Sequence, residues 1–69
     1  MRPDQEEFFT VLYREYFNQI KLYAMAHISD PHRAEEIAQD TFHTAVEKID
    51  TLMKADEPIR WLKRTAKNK

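Results

Sequence analysis

Sixty-nine residues with no cysteine, no glycine and a net charge of −1 leave room for few chemistries. Without cysteine there is no disulfide and no thiolate metal site. Without glycine, the backbone loops that cradle phosphates and the tight turns of β-hairpins lose their usual residue, and nucleotide sites and antiparallel sheets lose ground with them. A chain of this length buries only ~60% of its unfolded surface, so one domain over 1–69 with a thin core is expected. No apolar run approaches the ~20 residues needed to span a bilayer. The charged start MRPDQEE is not a secretion signal. These features predict a soluble, cytoplasmic, non-enzymatic protein with no cofactor and no membrane partner.

The first predicted helix covers about 4–27. Asp4 can cap it, with Glu7 three residues later. Phe8, Phe9, Leu12, Tyr16, Ile20 and Tyr23 recur at helical spacing, flanked by Tyr13, Phe17 and Ala24. So broad an aromatic stripe suits a helix that touches two neighbours, and it reads as core rather than as a cofactor platform. In SDPHR, Asp30 is a natural cap and Pro31 a natural first helical residue. The second helix is predicted over about 31–52, and KADEP ends it. Pro58 opens a third, which carries Ile59, Trp61, Leu62, Thr65 and Ala66. The expected fold is all-α, a compact three-helix bundle. Its expected core, or the border of it, comprises Phe8, Leu12, Tyr16, Ile20, Ile37, Phe42, Ala45, Ile49, Trp61 and Leu62.

Within the second helix, Ala34, Ile37, Ala38, Thr41, Ala45 and Ile49 fall in one arc of roughly 120°, the buried face. Glu36, Gln39, Asp40, His43 and Glu47 fall in the opposite arc, with Phe42 and Val46 at the border. A merely solvated helix face usually mixes signs to gain i,i+4 pairs, and this stripe contains no lysine or arginine. It reads as a docking surface for a basic partner, with Gln39 hydrogen-bonding and Phe42 and Val46 as apolar anchors. Asp40 and His43 also have the carboxylate-x-x-His spacing of di-iron bundles. Those sites need a second copy and inward-facing ligands, so no metal site is expected. Ser29 is the only serine, no catalytic constellation can be placed around it, and no catalytic residue is expected.

Charge is divided unevenly along the chain. Residues 1–57 carry six Lys/Arg against twelve Asp/Glu, and residues 58–69 carry five Lys/Arg and no acid. A basic helix end complements its own dipole, but five charges exceed that role. An acidic body with a basic end suggests two different partners.

The motifs F-F-x-x-L-Y-x-x-Y, D-P-x-x-A-E-E-I-A-Q-D-T-F and P-x-x-W-L-x-x-x-A-x-N, read along 8–68, closely resemble region 2, the N-terminal domain, of bacterial sigma factors. The extracytoplasmic-function (ECF) group is the nearest in pattern. The resemblance implies docking of Glu36, Gln39, Asp40, Phe42 and Val46 on the basic clamp helices of the largest catalytic subunit of RNA polymerase. It also implies that the loop 49–57 and the residues Arg60, Lys63, Arg64, Lys67 and Asn68 handle the non-template strand of promoter DNA during melting of the Pribnow-type element. Trp61 is then a core anchor rather than a base-stacking ring. An anti-sigma factor is a further implied partner, and a decoy or regulator that binds polymerase without opening DNA is the alternative function. Thr65 and Thr44 depart from the family pattern, which places apolar residues there. The resemblance further implies that 1–69 is either a piece of a longer chain carrying a second, helix-turn-helix DNA-binding domain or a divergent stand-alone fragment.

Overall fold

Proline suits the first position of a helix, because its φ is already helical and it lacks the amide that would go unpaired there. Each of the three prolines opens a helix in the computed structural model, which describes residues 1–69. These are α1 (Pro3–His27), α2 (Pro31–Glu47) and α4 (Pro58–Lys67); the short α3 (Ile49–Lys54) has no proline at its start. There is no strand, as the all-α reading expects.

Two boundaries differ from expectation. Helix α1 starts before Asp4, at Pro3, and its cap is Arg2, whose N–H donates to Gln5 Oε1 at 3.0 Å. Asp4 lies inside the first turn, where its charge favours the helix dipole. The second predicted helix is in fact two. The backbone leaves helical geometry at Lys48 (φ −112°, ψ 28°) and resumes as α3. Burial outweighs helical continuity here, since Ile49 and Leu52 both enter the interior and Leu52 is fully enclosed. Most of the predicted loop 49–57 is therefore helical, and only Ala55–Glu57 connect α3 to α4. At the start of α2 the expected cap is present, with Asp30 Oδ1 accepting from the His32 N–H at 3.0 Å.

Helices α1 and α2 run antiparallel and form the main packing pair. Ala34, Ala38 and Ala45 of α2 are fully buried, and such small side chains let neighbouring backbones approach closely. Leu12, Ile20, Ala24, Ile37, Phe42, Leu52, Leu62 and Ala66 complete the core cluster, and Phe8, Tyr16 and Trp61 pack against its border. Thr41 is the one fully enclosed polar side chain, and its hydroxyl donates to the Ile37 carbonyl at 2.7 Å. Trp61 is half-buried against the cluster, in keeping with an anchor. Leu12→Ala is expected to destabilise the fold by ~2–5 kcal/mol, as buried leucine truncations do, and urea unfolding followed by circular dichroism measures it.

Candidate functional site

The only cleft is small, about 80 Å³, between the C-terminal ends of α1 and α4 and the middle of α2. Small-molecule sites usually need ~300–1,000 Å³, so function falls to the surface of the bundle.

The first surface is the outer face of α2. Its packed side is occupied by alanines and Ile37, so Glu36, Gln39, Asp40, His43 and Glu47 are held outward and all are exposed. Asp40 and Glu47 have no cation within ion-pair distance, whereas Glu36 has Arg33 at 4.0 Å, one turn back. That pair is long and exposed, and is worth little. The stripe is thus almost uncompensated, with Arg33 at its edge as the one cation in ion-pair contact with it. Val46, 39% exposed, borders it as expected.

Phe42 does not. It is 2% exposed and is a core residue rather than an exposed anchor. Its ring meets those of Phe9, Tyr13 and Phe17 at centroid distances of 6.2, 5.2 and 5.7 Å. The helical wheel puts position 42 at the border, but the wide aromatic side of α1 reaches around and covers it. The exposed aromatic at this edge is Tyr13, 43% exposed, stacked on Phe17 at 4.8 Å with its edge against Phe42. Its place on the core side of the α1 wheel hid it. Only the packing against α2 leaves that ring half outside.

The second surface is α4. Leu62 and Ala66 are buried, with Ile59 and Trp61 beside them, so the opposite side carries Arg60, Lys63, Arg64 and Lys67 at the i, i+3, i+4, i+7 spacing of one helical stripe. All four are exposed, and so is Asn68, which caps the helix end. The charges are not equally free. Arg60 Nη1 pairs with Glu57 at 3.1 Å, and Lys63 lies 5.8 Å from the centre of the Tyr23 ring. Lys69 Nζ donates to Thr44 Oγ1 at 2.8 Å. Arg64 and Lys67 have no such partner.

Thr44 is thus the acceptor for a lysine just past the end of α4. Thr44 in turn donates to the Asp40 carbonyl at 3.0 Å. Lys69, just past α4, is therefore held against α2, the helix that carries the acidic stripe.

No helix is long and apolar enough to cross a membrane. The family model for sigma-70 region 2 matches residues 12–69. No curated protein and no solved structure matches the chain.

Proposed function

The chain belongs to the sigma-70 region 2 family, whose domains are non-catalytic, bind RNA polymerase and take part in promoter melting, and on that premise we propose how its two surfaces divide the work. The outer face of α2, with Glu36, Gln39, Asp40 and Val46, docks on the basic clamp helices of the largest polymerase subunit. The α4 stripe, with Arg60, Lys63, Arg64, Lys67 and Asn68, holds the displaced non-template strand while the Pribnow-type element is opened. The pattern of the motifs supports a member of the ECF group. It acts as one domain, in the cytoplasm, where polymerase and promoter DNA are found.

The observation that carries this reading is the sorting of charge. Asp40 and Glu47 stand without counter-charges on one helix, and Arg64 and Lys67 stand free on another. Uncompensated acids favour a basic protein partner and raise the rate of encounter with it. Free cations at helical spacing suit a phosphate backbone, whose bound counterions they release.

The test is Arg64→Ala with Lys67→Ala, in the chain bound to polymerase. Alanine is the best helix former, so α4 should persist. Single-strand binding loses about 0.7 in log–log salt slope per phosphate contact removed, so the slope should flatten by roughly 1.4. Promoter opening should fall, and docking on polymerase should not. If the double variant opens promoter DNA like the parent, the basic end is only a helix terminus. A decoy or regulator that binds polymerase or an anti-sigma factor then becomes the better reading.

A further inference from the structure

Gln5 is a polar residue only 8% exposed, and both ends of its amide are used. Its oxygen accepts from the Arg2 N–H at 3.0 Å, closing the first turn of α1. Its nitrogen donates to Asp50 Oδ1 at 2.7 Å, across 45 positions of sequence, in the first turn of α3. Arg2 adds a loose contact to the same carboxylate oxygen at 4.0 Å. Arg2 and Gln5 lie before residue 12, where the family match begins.

The geometry points to Gln5 as a positioning residue that sets the orientation of α3, and through it of the connection Ala55–Glu57 that leads into the strand-binding helix α4. Helix α3 is six residues long and is anchored by two buried side chains, Ile49 and Leu52. They sit three apart on one face. Apolar contact is non-directional, so this pair fixes how deeply α3 sits and leaves its rotation and tilt soft. The Gln5–Asp50 bond is directional and lies off that face, so it supplies the missing constraint. Only three residues separate α3 from α4, and a tilt of α3 moves that connection directly. The functional consequence rests on the strand-binding role proposed for α4. The Gln5–Asp50 clamp itself does not.

The experiment compares the parent with Gln5→Glu, Asp50→Asn and the double exchange of both. Gln5→Glu removes the donor and sets two carboxylates against each other. Asp50→Asn keeps an oxygen that can accept from Gln5. The double exchange restores one donor and one acceptor, with the roles reversed. Hydrogen exchange is read at the amides of Leu52 and Ala55, which bond to the Lys48 and Leu52 carbonyls within and at the end of α3. Gln5→Glu should speed their exchange by about tenfold or more, as expected for the loss of one charge-assisted hydrogen bond. Asp50→Asn, which keeps a neutral acceptor, should speed it less than Gln5→Glu, and the double exchange, which again sets a carboxylate against an amide, should return it close to the parent. Promoter opening by the polymerase-bound chain should follow the same order, with polymerase affinity unchanged.

Unchanged exchange in Gln5→Glu, or no recovery in the double exchange, overturns the clamp. Changed exchange with unchanged opening overturns the positioning role. If Gln5→Glu loosens α1 and α2 as well, Asp50→Ala decides the matter. That site is largely exposed, and the substitution breaks the same bond without burying a charge, so it must loosen α3 alone. A parent that neither docks on polymerase nor opens promoter DNA overturns the proposed function, and the exchange pattern still judges the clamp.

Discussion

Phe42→Ala is expected to leave most of the chain unfolded at 25 °C. The ring is 2% exposed and sits among three other aromatic rings, with centroids 5.2 to 6.2 Å away. Truncating a buried phenylalanine costs ~3–5 kcal/mol, through lost transfer free energy and the cavity left behind. A single core in a domain under ~70–80 residues rarely supplies more than ~3–5 kcal/mol in total. The loss therefore matches the whole stability of the fold. Little can collapse into the gap, because the neighbours are stiff rings on α1 and fully buried alanines on α2. Far-ultraviolet circular dichroism with urea titration measures the effect. A variant that stays folded and instead loses polymerase binding would restore Phe42 to the docking surface.

Asp40→Lys is expected to give the opposite separation, with binding lost and the fold kept. Asp40 is exposed, and its carboxylate has no cation within ion-pair distance, so folding gains little from its charge. The bond from the Thr44 hydroxyl goes to its backbone carbonyl and survives any side chain. The new lysine would also follow Glu36 by four positions, a favourable order on a helix worth a few tenths of a kcal/mol. Stability should thus stay within ~0.5 kcal/mol of the parent or rise slightly. Against a basic surface, the reversed charge meets like charge at the centre of the stripe. Polymerase binding should weaken by about 2 kcal/mol or more, roughly 30-fold, and lose part of its salt dependence. Titration of labelled chain against core polymerase at two ionic strengths measures both. Parent-like binding by Asp40→Lys would reject the α2 face as the docking surface.

Much of this was legible in the linear chain. Pro31 and Pro58 marked two helix starts because their effect is local, in the residue's own φ and missing amide. The exposed stripe of α2 and the buried alanines opposite it followed from a period of 3.6 residues, since neighbours on one helix are set by covalent geometry. The basic end was visible as composition. The structure then placed the four cations Arg60, Lys63, Arg64 and Lys67 on one side of α4.

What needed the tertiary structure is what depends on a second helix. Position 42 is a border position on the wheel of α2, and only the reach of Phe9, Tyr13 and Phe17 from α1 decides that it is interior. The break at Lys48 shows no proline or glycine; it arises because Ile49 and Leu52 have an interior to enter. Gln5 looks like any polar residue in a first turn until Asp50 is brought to 2.7 Å from it. Which cations are free is likewise settled in space, where Tyr23 and Thr44 meet Lys63 and Lys69. Periodicity reports the face a residue takes on its own helix, because that is local geometry. Burial and pairing are set by neighbours distant in sequence, and no local signal carries them.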